Sequence, residues 1–96
     1  MRLEFLPLAQ ADVQTIGDYI SQDSPGNALR FVEGLRAQCE YTTRAPISYV
    51  ARLKLADGLR SCAHDRYVIS FRITINGVRV VRVLHSAMDV NSAYLN

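Results

Sequence analysis

Two runs rich in valine, isoleucine and aromatic residues, "RYVISFRITI" (66–75) and "VRVVRVLHS" (78–86), flank the dipeptide Asn76-Gly77. Alternating runs on either side of Asn-Gly are the strongest short-range signal for an antiparallel hairpin, because both turn positions must accept positive φ. The C-terminal part of the chain is therefore committed to sheet. In the first run Tyr67, Ile69, Phe71 and Ile73 face one way, with Val68, Ser70, Arg72 and Thr74 opposite. In the second, Val80, Arg82 and Leu84 oppose Arg79, Val81, Val83 and His85. Successive strand side chains alternate in this way. Asp57-Gly58 reads as a turn, "LRSCA" (59–63) as a further short strand, and residues 45–57 as a loop.

The first half has a different period. "RLEFL" (2–6) alternates and stops at Pro7, as a short strand would. From Leu8 to Gln22, Ala9, Val13, Ile16 and Ile20 form one helical stripe. Gly17 within it marks a close approach to a neighbour. Ser24 then supplies a cap and Pro25 the first helical position of a second helix. Ala28, Phe31, Val32, Leu35, Cys39 and Thr42 line its inner face, and Pro46 ends it. The short connection predicts an antiparallel helical hairpin. The tail, 87–96, reads as one helical turn around Asp89 to Tyr94. The expected class is α+β, in the order β-α-α-β-β-β, with the helical hairpin on one face of an antiparallel sheet.

A chain of 96 residues, 49% hydrophobic and 21% charged, fits one globular domain spanning 1–96. The stretch "MRLEFLPLAQADV" is interrupted by Glu4, Gln10 and Asp12, and no run approaches the ~20 apolar residues of a membrane span. Cys39 and Cys62 lack metal-ligand spacing and read as reduced thiols. Together these features predict a cytoplasmic protein with no metal, no cofactor and no membrane contact. Charge is uneven. Residues 1–44 carry four arginines against six acids, a balance of −2. Residues 45–96 carry six arginines and Lys54 against three acids, a balance of +4. One electropositive surface is expected.

The stretches "LPLAQADVQTIGDYI", "SPGNALRFVEGLRAQCEYTTRAP", "DGLRSCAHDRYVISFRI" and "VRVVRVLHSAMD" together resemble the RelE/ParE superfamily of bacterial toxins, and its ParE branch in particular. The carrying residues are Gly58-Leu59-Arg60, Arg66-Tyr67, Arg82-Val83-Leu84-His85 and Asp89. Ser86 and Met88 stand where ParE-type sequences usually read glycine and arginine, and "ISYVARLKLA" is less typical. The resemblance implies a toxin that inhibits DNA gyrase by binding it, neutralised by a ParD-like antitoxin. It implies no sequence-specific DNA contact by this chain alone.

A RelE-like, ribosome-dependent mRNA endonuclease is the enzyme alternative. Its chemistry needs basic groups and a tyrosine converging on the scissile phosphate. Here Val68 follows Tyr67 where the RelE pattern has arginine, and Asp89 would repel phosphate. No catalytic residue is assigned, and a toxin-like binding protein without toxicity is the third reading. Arg60, Arg72, Arg82, His85 and Met88 are candidates for target contact. Leu8, Tyr19, Leu29, Tyr49 and Val50, which fall off the main apolar stripes, are candidates for antitoxin contact. An added strand on a sheet edge and a helix in a groove are the two docking modes expected.

Overall fold

The computed structural model describes residues 2–52 and 57–87. In chain order these form β1 (Arg2–Phe5), α1 (Pro7–Ser21), α2 (Pro25–Thr42), a 3-10 turn (Pro46–Ser48), β2 (Val50–Ala51), β3 (Leu59–His64), β4 (Tyr67–Ile73) and β5 (Gly77–His85). The tail helical turn expected around Asp89 to Tyr94 lies outside the described residues, as do Met88 and Lys54.

Both helices start where the chemistry allows. Each has proline in its first turn, where a missing N–H leaves no bond unmade. The Ser24 side chain accepts a hydrogen bond from the Asn27 amide at 3.3 Å. Ala9, Val13 and Ile16 of α1 and Leu35 and Cys39 of α2 are buried against Ile69, Val80 and Val83 of the sheet. Ile20, Phe31 and Val32 complete the seam, so the helical stripes read from the sequence are the ones the fold buries. A Cβ at Gly17 would lie 3.3 Å from Val32 Cγ2, which is the close approach that glycine permits.

The α+β class and the β-α-α-β-β-β order hold, with a two-residue strand added. The five strands run in the order β1-β5-β4-β3-β2. One expectation is corrected: the sheet is mixed, because β1 lies parallel to β5, with Arg2 beside Gly77 and Phe5 beside Val80. The other three pairings are antiparallel. The 45–57 stretch is likewise more than loop, since Val50 and Ala51 pair with Ser61 and Arg60. A two-residue strand is too short to show alternation.

The β4–β5 turn also differs from expectation. Thr74 and Gly77 exchange backbone hydrogen bonds, with Thr74 N–H to Gly77 O at 2.8 Å and Gly77 N–H to Thr74 O at 3.3 Å. The two loop residues are therefore Ile75 and Asn76, not Asn76 and Gly77. Gly77 serves β1 instead. A Cβ on it would fall 2.0 Å from the Arg2 carbonyl oxygen, so only glycine lets the first strand reach the sheet here. The left-handed turn residue is Asp65, at φ 54°, between β3 and β4.

β5 contains one irregularity. Ser70 pairs with Arg82 but Phe71 pairs with Val80, so Val81 is an extra residue. This bulge resets the alternation and places Val80 and Val83 on the same, helix-facing side. The strict alternation read from the sequence had put them on opposite faces.

Gly77→Ala is expected to cost about 2–4 kcal/mol, because backbone rather than a flexible side chain must move. Gly58→Ala, at φ +73° with open space around the Cβ, is expected to cost about 1–2 kcal/mol. Urea unfolding of both variants measures this, and equal losses would refute the role given to Gly77.

Candidate functional site

β1 covers only part of β5. Their register ends at Phe5 and Val80, and Leu6 N–H donates to Val80 O at 3.0 Å as the chain turns into α1. Beyond that point β5 has no strand neighbour on this side among the described residues. The carboxylate of Asp12, one turn into α1, takes the place of a strand. Its Oδ2 accepts the Val83 backbone N–H at 2.9 Å. Both of its oxygens receive the Arg82 guanidinium, at 2.7 and 2.9 Å. The pair is largely buried, with side-chain exposures of 19% for Arg82 and 13% for Asp12.

A groove of about 730 Å³ opens between α1 and this outer end of β5. Tyr19 and Ile20 of α1, Phe31 of α2, and Tyr67 and His85 of the sheet give it apolar and aromatic walls. Asp12, Arg82, Asp65 and Arg66 give it a charged rim of both signs. The walls are braced by edge-to-face ring contacts. Phe31 meets His64 and Tyr67, each at 5.5 Å between centroids, and Tyr67 meets His85 at 5.4 Å. Tyr67 and His85 are opposite one another in register. His85 Nδ1 accepts the Ala87 backbone N–H at 3.1 Å, which turns the chain after β5. The arrangement can hold an extended or helical polypeptide with an apolar anchor.

Residues 3–90 match the family model described as the ParE toxin of type II toxin-antitoxin system, parDE. This chain belongs to the ParE toxin family. Its fold is similar to that of a chain in the solved structure "Chromosomal ParDE TA system from P. aeruginosa". That likeness has a TM-score of 0.76 at 22% identity and covers 88% of this chain and 95% of that one. No curated protein matches the sequence. As a ParE-family toxin, the chain carries its groove on elements that the family match spans.

The candidate residues do not gather in one place. Tyr19 and His85 share the groove. Arg82 lines it too, but is held by Asp12. Leu8 is exposed on the first turn of α1, and Leu29 borders a separate, smaller depression between the helices. Tyr49 packs edge-to-face on Phe71 at 5.6 Å, and Val50 is exposed on β2, at the opposite edge of the sheet from β1. Arg60 donates to the Tyr49 carbonyl at 2.8 Å, fastening the 3-10 turn to β3. Arg72 reaches the Asp57 carbonyl at 3.4 Å. Met88 lies outside the described residues. Asp12 and Phe31 line the groove without having been candidates for contact, and Tyr67 entered the functional reading of the sequence only through the family resemblance.

The two thiols sit behind this site. Gln38 Nε2 contacts Cys62 Sγ at 3.9 Å. Burial pushes the Cys39 thiol up to about 12, and the neighbouring Cys62 adds to the effect. Burial also raises Cys62, opposed by the Gln38 hydrogen bond.

Two outcomes follow. Asp12→Ala removes the carboxylate that holds the largely buried Arg82 guanidinium and accepts the Val83 N–H, and is expected to lose about 3 kcal/mol in urea unfolding. A loss under about 1 kcal/mol would show that water replaces the carboxylate freely. An unfolded thiol ionises near its ordinary value of 9, whereas folded Cys39 keeps its proton to about 12. Stability from the neutral thiol is thus fully present below pH 9 and is lost as pH rises toward 12. The unfolding midpoint of Cys39→Ala should decline less between pH 8 and 10.5 than that of the unaltered protein, and equal declines would contradict this.

Proposed function

We propose that this ParE-family toxin acts by binding rather than by catalysis. In this reading it inhibits DNA gyrase in the cytoplasm and is neutralised by a ParD-like antitoxin that occupies the groove between α1 and β5. The observation that carries the binding reading is the juxtaposition of an aromatic-walled groove with a stretch of strand edge beside no other strand among the described residues. Such a site offers a polypeptide main-chain partners and an apolar anchor pocket together. Membership of the ParE family supports gyrase as the target.

Gyrase supercoiling assays test the target. Micromolar protein should block supercoiling and accumulate cleaved DNA, and unimpaired supercoiling would exclude gyrase. The groove is tested separately with Tyr19→Ala, which removes an exposed aromatic wall without touching the core. Buried interface tyrosines are enriched among residues whose truncation costs about 2 kcal/mol or more. Affinity for the antitoxin should fall at least tenfold, with gyrase inhibition retained. An unchanged antitoxin affinity would move the docking site elsewhere.

A further inference from the structure

The sheet has a second feature, on the side turned away from the helices. On β1, Leu3 and Phe5 pack into the core, so Arg2 and Glu4 point the other way. On β4, Ile69 lies in the core and the same alternation turns Arg72 outward. The pairing then lines residues up across all five strands. Glu4 of β1 is opposite Arg79 of β5, Arg79 is opposite Arg72 of β4, and Arg72 is opposite Leu59 of β3. Arg52, just past β2, donates its backbone N–H to Leu59 O at 2.7 Å and closes the rung. The Arg52 side chain lies over this same side, with its Nε donating to Ser61 Oγ at 2.7 Å.

The result is a row of Arg79, Arg72 and Arg52, with Arg2 one pair along from Glu4. Three strand spacings separate its ends, about 14 Å. Arg2, Arg52 and Arg79 are exposed and Arg72 is half-buried. Among the described residues two acidic residues stand nearby: Glu4, paired with Arg79, and Asp57, whose carbonyl meets Arg72 from the adjoining turn. Arg72 and Arg79 are like charges directly opposite each other, which opposes sheet pairing, and the Glu4 carboxylate offsets the Arg79 member. Each guanidinium has five donors, so one internal contact leaves others for a ligand.

We propose that this arginine row binds the phosphate backbone of duplex DNA, without regard to sequence. Two observations choose that partner over an acidic peptide. First, the apolar side chains that alternation places centrally on this side, Leu59 and Leu84, are buried, and among the described residues Val50 at the far edge is the exposed large apolar side chain beside the row. Protein partners bury an apolar core, whereas phosphate surfaces are polar and strongly positive. Second, the aromatic side chains of the sheet, Phe5, Tyr67 and Phe71, lie on the opposite, helix-facing side. Among the described residues this side offers no ring on which to stack a base, so the row contacts backbone rather than unpaired bases.

Fluorescence anisotropy with labelled 20-base-pair duplexes of two unrelated sequences tests this directly. Both should bind in the micromolar range, as sequence-independent contacts do. The affinity should fall with salt at a log–log slope of about −3, one phosphate per arginine. Arg72→Gln combined with Arg79→Gln should weaken binding at least tenfold and bring the slope toward −1. Arg52→Gln alone, at the exposed edge, should weaken binding severalfold and serves if the double variant fails to fold. Arg30→Gln with Arg36→Gln, on α2, should change affinity less than twofold. Unchanged binding by the β-sheet variants, tighter binding of a polyglutamate peptide than of duplex, or no binding at 50 mM salt up to millimolar protein would each overturn the proposal. The assay contains no gyrase, so its outcome is separate from that of the target assignment.

Discussion

Asp12 joins the helical layer to the sheet at the one place where β5 loses its strand neighbour. β1 is four residues long and its register with β5 stops at Val80. The bulge at Val81 then turns the strand, and a central strand becomes an edge within a few residues. An edge amide left dry costs free energy, and an edge left wet invites pairing with another chain. The carboxylate meets both conditions by binding the Val83 N–H and the Arg82 guanidinium together. That bond sets the distance between α1 and β5, and hence the width of the groove on which the binding reading rests. A salt bridge of this kind fixes geometry more than it adds stability, because much of its Coulombic gain offsets desolvation.

The parts of this architecture visible in the sequence are those encoded by local period. Ala9, Val13, Ile16 and Ile20 repeat as a helix, and so do Ala28, Leu35 and Cys39. The 66–75 and 78–86 runs alternate as strands. Each signal arises within one element and needs no partner. The features that escaped are pairwise and distant. Gly77 looks like the second half of an Asn-Gly turn, yet the steric demand on it comes from Arg2, in another strand. Parallel pairing of β1 follows from its seat beside β5, which no pattern in "RLEFL" announces. The bulge depends on how β4 and β5 close around Ser70 and Arg82, and alternation alone cannot mark an extra residue.

The candidate site divides along the same line. Tyr19 was marked because it falls off the apolar stripe of its helix, and His85 because it is a polar residue ending an apolar strand; both signals are local. Phe31 and Tyr67 belong to apolar stripes and read as core. They are half-buried because the seam they close opens into the groove at one end. Arg82 was read as a surface arginine, and only its bond to Asp12 shows that it holds the fold together. Asp12 itself was read as a break in an apolar run, and its partners lie some seventy positions along the chain.

The uneven charge of the two halves acquires a spatial meaning once the sheet order is known. The acidic half supplies the helices, which carry Asp12, Asp18, Glu33 and Glu40, and the basic half supplies most of the sheet. Because the helices cover one side of the sheet, arginines in β4 and β5 that cannot turn inward accumulate on the other. The parallel insertion of β1 adds Arg2 to that side. The groove therefore opens at the outer edge of β5, beside Arg82 to His85, whereas the arginine row crosses the helix-free side further along the sheet, at Arg79 and Arg72. A polypeptide held in the groove leaves the row uncovered, so the two surfaces can serve different partners at the same time. Neutralisation by a groove-bound antitoxin would then have to act by blocking the target surface beside α1, or by adding its own bulk around the sheet edge, rather than by covering the arginines.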